Sequence, residues 1–438
     1  MGVARTMKIC VCGLWHLGTV TAACLADAGF TVTGLDFDLE NVKGLGNGRP
    51  PVFEPGLEAL LKSGVRRGRL RFSADPGASL RDADVVWVTY DTPVDGRGRA
   101  DTGFVRRNVT ALFPYLPPQA MVLISSQVPV GFTGSLEKSF AEACPGRRAT
   151  FAYSPENLKL GGAIESFKHP ARIVVGTKRR EDRERLFPLI KRLCKNIIWM
   201  STESAEMTKH AINAFLAASV AFANEIAVLC ETAGADAREV ELGLKSDERI
   251  GFKAYLSPGA AFAGGTLARD LAYLTGLGRA TGQAACLLEA VQASNERHRH
   301  WPRRKILEAL RHLNGKKIAV LGLAYKPYTD TLRGSEAVEL CRWLAGRGAK
   351  VAAYDPAVRK LPPDLERKIE LCSGIKPALN GAHCAVVATE WPAFRELTPG
   401  YLRGCMKQPV VVDMKGFLHS QLGNEPKVGY FAVGRRYP

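Results

Sequence analysis

A chain of 438 residues, 46% of them hydrophobic, is too long for one ordinary domain and predicts two or three packed domains with sizeable cores. Its formal net charge of +17 would suit nucleic acid, acidic lipid or a phosphorylated small molecule, but the basic residues fall in short groups such as Arg66-Arg67 and Arg303-Arg304 without interleaved aromatics, so a nucleic-acid partner is not expected. The 11 cysteines include no CxxC pair, which argues against a zinc ligand set and a disulfide framework, and no metal is expected.

The first residues run directly into a short apolar strand, with neither a signal peptide nor a membrane span, so a cytoplasmic location is expected. Lys8–Cys12 reads as that strand, followed by Gly13-Leu14-Trp15-His16-Leu17-Gly18 and an Ala-rich helical run. A second strand, Thr31–Leu35, ends in Asp36. This βαβ start would place a dinucleotide pyrophosphate on a helix N-terminus and a ribose hydroxyl on Asp36. The carboxylate favours NAD over NADP, whose 2′-phosphate it would repel. Trp15 stands where the GxGxxG pattern has its middle glycine, the one that lets backbone approach the pyrophosphate. An ordinary strand-turn-helix corner is the other reading of the motif.

Asp84–Thr89 and Val122–Ser126 read as further strands, and Thr92 and Ser126 stand at carboxyl ends, where ligand groups gather in a doubly wound parallel sheet. Ser201–Ala235 then predicts one helix of roughly 30 residues and about 45 Å. Ser201 and Thr202 can cap it, Glu203 and Glu206 suit its positive end, and Gly234 stops it. Apolar residues lie almost all round it, which predicts burial between two domains or two subunits. Lys209 and Asn213, four apart, share one face; they read either as a snorkelling Lys with a solvated Asn or as a working pair.

Lys317–Leu321 begins a second βαβ unit, with Gly322-Leu323-Ala324-Tyr325-Lys326 after the strand and Val351–Tyr354 leading to Asp355. Cys384–Ala388 and Val410–Val412 read as later strands. The predicted fold class is therefore α/β, two Rossmann-like doubly wound parallel-sheet domains joined by a long central helix.

At Gly322-Leu323-Ala324-Tyr325-Lys326-Pro327-Tyr328-Thr329-Asp330-Thr331-Leu332-Arg333 the chain resembles the UDP-glucose/GDP-mannose dehydrogenase family. The resemblance extends over nearly the whole length through Glu54-Pro55-Gly56-Leu57, Thr92-Pro93, Val128-Pro129-Val130-Gly131, Ser154-Pro155-Glu156, Lys209 to Asn213, Arg249-Ile250-Gly251 and Thr389-Glu390-Trp391. It implies an NAD-binding domain over residues 1–200, a central helical region at a dimer interface over 201–300, and a UDP-sugar-binding domain over 301–438. By the same resemblance the cofactor falls to Gly13, Trp15, His16, Leu17, Gly18, Asp36, Thr92 and Ser126. The sugar nucleotide falls to Lys159, Arg249, Phe262, Gly264, Lys326 and Arg333; an Arg grips phosphate oxygens bidentately and a Lys acts as a point charge.

The family removes hydride twice at C6 of the sugar, and in the second step a cysteine thiolate adds to the aldehyde. The matching segment here is Ala261-Phe262-Ala263-Gly264-Gly265-Thr266-Leu267-Ala268-Arg269-Asp270, with Thr266 at the cysteine position. Glu156 matches the family's first acidic residue, while Leu160 stands for the second and Gln127 for a water-orienting Thr. Lys209, Asn213 and Asp270 keep the positions tied to oxyanion, water and base. The expected activity is thus NAD-dependent oxidation of a UDP-hexose that stops at the 6-aldehyde or its hydrate. The alternatives are four-electron oxidation to the uronate without a thiol, oxidation at another carbon, and a non-catalytic sugar-nucleotide sensor or subunit.

Overall fold

The computed structural model describes residues 6–93, 100–156, 158–263, 265–332 and 334–435. The chain divides into two compact units, Met1–Ala211 and Ile212–Pro438. In the first unit the strands are β1 (Lys8–Cys12), β2 (Thr31–Leu35), β3 (Leu70–Ser73), β4 (Val85–Val88), β5 (Ala120–Ile124), β6 (Ala149–Tyr153), β7 (Ile173–Gly176) and β8 (Ile197–Met200). They form one sheet in the order β3-β2-β1-β4-β5-β6-β7-β8. Neighbours are parallel except β6 and β7, which meet antiparallel at Tyr153 and Gly176.

Helices cover both faces, so the strand sequences are near-continuous apolar runs rather than alternating ones. All five residues of β5 are buried, and each large aliphatic side chain among them contributes about 1.5–3 kcal/mol by leaving water. The two-residue period then sorts β1 between two cores: Ile9 and Val11 pack on one side, Cys10 and Cys12 on the other. Because β1 lies between β2 and β4, the order of connection reverses at its carboxyl end, which is where a doubly wound sheet opens a crevice for ligand.

The second unit carries β9 (Lys317–Leu321), β10 (Lys350–Tyr354), β11 (Glu370–Leu371), β12 (Cys384–Val387), β13 (Val410–Asp413) and β14 (Gly429–Ala432). Their order is β11-β10-β9-β12-β13-β14, parallel throughout. This is the predicted fold class.

The long helix runs Thr202–Ala233, 32 residues. Ser201 caps it, its Oγ accepting from Ser204 N at 3.1 Å, and Gly234 ends it at a φ of 80°. Its length and hydropathy alone would meet the requirement for a bilayer span. Its first turns, however, spend their polar groups on loops of the first unit, as described below. Along the second unit's part of the helix, Phe215, Phe222 and Leu229 recur every seven residues and are 72%, 47% and 63% exposed. That stripe shows the helix is not apolar-covered all round within one chain.

Candidate functional site

The carboxyl end of β1 builds the cofactor turn. Gly13 has φ 91°, and its N–H donates to Leu35 O at 2.9 Å. A Cβ on Gly18 would lie 1.8 Å from Gly13 O, so the helix His16–Asp27 can start this close to the strand only with glycine there. Thr89 Oγ1 donates to Gly13 O at 2.8 Å and locks the turn against β4. Trp15 takes an ordinary φ of −75° and its side chain is 49% exposed. Its position therefore needs no glycine conformation, and the indole stands outward from the helix N-terminus.

Asp36 follows β2 as expected. Its Oδ2 accepts from Leu14 N at 2.6 Å and its Oδ1 from Asp38 N at 3.1 Å, and the residue is half-buried. The second unit repeats the device with a different outcome. Gly322 N donates to Tyr354 O at 2.8 Å and Leu323 N to Asp355 Oδ2 at 2.7 Å. Asp355 also accepts from Ala324 N, Trp391 Nε1, Ala357 N and Val358 N. Those donors saturate a carboxylate's lone pairs, so Asp355 is a structural anchor while Asp36 retains capacity for a ribose hydroxyl. The glycine cradle, Asp36 and Ser126, whose Oγ is fully buried without a hydrogen-bond partner among the described residues, fit a dinucleotide in the first unit.

Other residues assigned to the cofactor have partners within the protein. Thr92 Oγ1 donates to Gln127 O at 2.6 Å, tying the loops after β4 and β5 together. His16 Nε2 lies 2.9 Å from Glu54 Oε2. Leu17 sits with His16 in the first turn of the helix.

Lys209 is not a snorkelling side chain. It is 5% exposed, and its Nζ donates to Glu156 O at 2.6 Å and pairs with Glu156 Oε1 at 3.4 Å. Glu156 also accepts from Leu158 N at 2.8 Å. Neighbouring polar residues of the helix brace the adjacent loop. His210 Nε2 meets Val128 O at 2.9 Å. Glu206, fully buried, accepts from Thr133 N at 2.9 Å and from Gly131 N at 2.5 Å. The expectation that Glu206 serves its own helix is corrected: it caps the helix Phe132–Ala143, and burial raises its carboxyl although those backbone bonds pull it down.

In the second unit Asn213 is buried as well, and its Nδ2 donates to Asp270 Oδ2, itself fully buried. Thr266 is the first residue of the helix Thr266–Thr281 and is exposed. The segment before it is pinned by residues the sequence did not single out. Asn295 accepts from Phe262 N and donates to Phe262 O, both at 2.9 Å. Asn224 Oδ1 accepts from Gly259 N at 2.8 Å, and His298 Nε2 meets Gly259 O at 2.7 Å, its imidazole held towards the neutral form chiefly by burial. Asn295 and His298 are polar residues three apart on the buried face of one helix, the one signal that could have found them.

Of the remaining assigned residues, Lys159 is exposed and Lys326 half-buried. Arg249 is exposed and pairs with Asp247 at 2.7 Å. Gly264 and Arg333 lie outside the described residues. Cys24, Cys341 and Cys384 are free and buried. Burial pushes Cys24, Cys341 and Cys384 up to about 12, so they are thiols, not thiolates, at neutral pH.

Residues 7–194 match the NAD binding domain of the UDP-glucose/GDP-mannose dehydrogenase family, residues 203–297 its central domain and residues 319–420 its UDP binding domain. A UDP-glucose 6-dehydrogenase of Rhizobium meliloti is 34% identical over 98% of this chain and 100% of that one. The UDP-glucose 6-dehydrogenase TuaD of Bacillus subtilis is 32% identical, with 98% and 93% covered. Among solved structures, a UDP-glucose dehydrogenase from Pyrobaculum islandicum superposes with a TM-score of 0.90 at 30% identity, covering 99% of this chain and 100% of that one.

Proposed function

The chain belongs to the UDP-glucose/GDP-mannose dehydrogenase family, and from that premise we propose that it oxidises C6 of a UDP-hexose with NAD and stops at the 6-aldehyde or its hydrate. NAD, held by the turn at Gly13–Gly18 with Asp36, supplies the hydride acceptor. Alcohol oxidation also needs a cation for the developing alkoxide and a base for the hydroxyl proton. Lys209, buried and held by Glu156, serves as the cation. Asp270, oriented by Asn213, takes the proton through a water. Lys326 and Arg333 serve the diphosphate, with Lys159, Arg249, Phe262 and Gly264 completing the sugar-nucleotide site.

One observation carries the truncated outcome: Thr266 stands where the family's motif has its cysteine. A Thr hydroxyl stays protonated at neutral pH and lacks a thiolate's nucleophilicity, so the covalent adduct needed for the second oxidation does not form. Leu160 and Gln127, at positions tied to thioester hydrolysis and water orientation, agree with that loss. We further propose that residues 1–200, 201–300 and 301–438 act as cofactor, dimerisation and UDP-sugar domains of a cytoplasmic homodimer.

The test is a single-turnover reaction with NAD and a panel of UDP-sugars, counting NADH and trapping carbonyl with hydroxylamine. One NADH per sugar with trapped aldehyde is expected. Two NADH with uronate would replace this reading by four-electron oxidation through the hydrate, for which the buried Asn213–Asp270 pair is a suitable holder. Trapped ketone would mean oxidation at another carbon, and binding without NADH would mean a sensor.

A further inference from the structure

We infer that Glu54 is a positioning residue that ties occupancy of the cofactor turn to the placement of Glu156 and Lys209. Its side chain is 1% exposed, and both oxygens are engaged. Oε2 meets His16 Nε2 at 2.9 Å and accepts from Gly161 N at 2.8 Å; Oε1 accepts from Ala163 N at 2.8 Å. A buried carboxylate in this state is costly to disturb, because any lost partner leaves a desolvated charge or a desolvated N–H.

The partners belong to two functional segments of the first unit. His16 is the first residue of the helix whose N-terminus faces the pyrophosphate position. Gly161 and Ala163 close the loop that follows β6, and that loop carries Glu156, the residue that holds Lys209 through its carbonyl and its carboxylate. Direct contacts therefore run from His16 in the cofactor turn through Glu54 to Gly161 and Ala163, and separately from Glu156 to Lys209, with the loop after β6 joining the two along the chain. Capping the short helix Ala163–Lys168 explains the bond to Ala163 N alone. It does not explain why the same carboxylate engages the cofactor turn. When NAD loads the turn, His16 is fixed, Glu54 with it, and the loop end loses its freedom; by reciprocity, an ordered loop favours NAD.

The inference rests on the proposed function only in giving NAD to the turn and a catalytic task to Lys209. The first test does not need turnover. Hydrogen exchange of the full-length protein is followed by mass spectrometry over residues 154–168, with and without saturating NAD, in the wild type, His16→Ala and Glu54→Gln. NAD binding is read separately by NADH fluorescence. In the wild type NAD slows exchange of this segment by about fivefold, within the usual range of couplings between sites. In His16→Ala, at an NAD concentration that saturates the variant by NADH fluorescence, the slowing disappears. The second test is kinetic: Glu54→Gln lowers kcat for the UDP-sugar by about 10²-fold, the scale of a small misplacement of a catalytic group, while NAD affinity falls by no more than about fivefold, the amount the coupling itself carries. Equal protection in His16→Ala, no protection in the wild type, or a kcat loss that merely follows lost NAD affinity would overturn the inference. A wild type that turns over no UDP-sugar refutes the proposed function instead, and the exchange result still decides the role of Glu54.

Discussion

In the proposed function Thr266 decides more of the chemistry than any other single residue. It opens the helix Thr266–Thr281 and is exposed, so its side chain is sterically replaceable. A thiol at this position can add to an aldehyde, and removal of hydride from the resulting thiohemiacetal leaves a thioester. Under the proposed assignment of Leu160 and Gln127 to the positions tied to its hydrolysis, Thr266→Cys is expected to trap the sugar nucleotide rather than release acid. Intact-mass spectrometry after one turnover should show the protein heavier by one acyl-linked UDP-sugar, and hydroxylamine should remove it; free uronate with no adduct would show that hydrolysis does not depend on those positions. At this scale the site was partly legible. Gly13, Gly18, Asp36, Lys209 and Asn213 stood out by residue type at a telling spacing, and Asp270 entered only through the family resemblance. Glu54 was visible only as part of the motif Glu54-Pro55-Gly56-Leu57, and Asn224, Asn295 and His298 were not singled out: their partners lie 33 to 39 residues away along the chain, and the spacing of Asn295 and His298 marks a buried polar face without naming what it holds.

At the level of elements, the first two turns of the long helix act as a clamp on loops of the first unit. Glu206 caps the helix Phe132–Ala143, Lys209 holds the loop after β6, and His210 holds Val128. The cap makes a pH prediction whose sign follows from burial. A carboxyl raised in the folded state contributes stability that is complete below its unfolded value, about 4.3, and is lost as pH rises through the folded value. Since burial raises Glu206, the stability advantage of the wild type over Glu206→Gln should shrink as pH rises from that point. Urea midpoints of both proteins between acid and neutral pH would measure it, and an advantage that widens instead would show that the two backbone N–H donors hold the carboxylate ionised. Elements with strong local signals were read well: β1, β2, β9 and the 32-residue helix were found within a residue or two. Strands such as β3, β7 and β11 were not read, because four residues or fewer carry no measurable period and their burial comes from the sheet they join.

For the whole molecule, shape and charge oppose each other in association. Phe215, Phe222 and Leu229 recur at seven-residue intervals along the helix and stand exposed in the single chain. Two copies pairing along this seam would bury it, yet each copy carries a formal charge of +17 and repels the other. The proposed dimer should therefore tighten as salt screens that repulsion, whereas a contact with nucleic acid would weaken. Sedimentation of the wild type should give close to twice 47.5 kDa at micromolar concentration. Phe215→Glu with Phe222→Glu should shift it to the monomer, each lost aromatic anchor costing about 2 kcal/mol or more. A wild type that sediments at 47.5 kDa at every concentration and salt would sink the dimer and leave the seam to another partner. The double variant also separates assembly from chemistry: if NADH formation survives in the monomer, every group the oxidation needs is supplied by one chain.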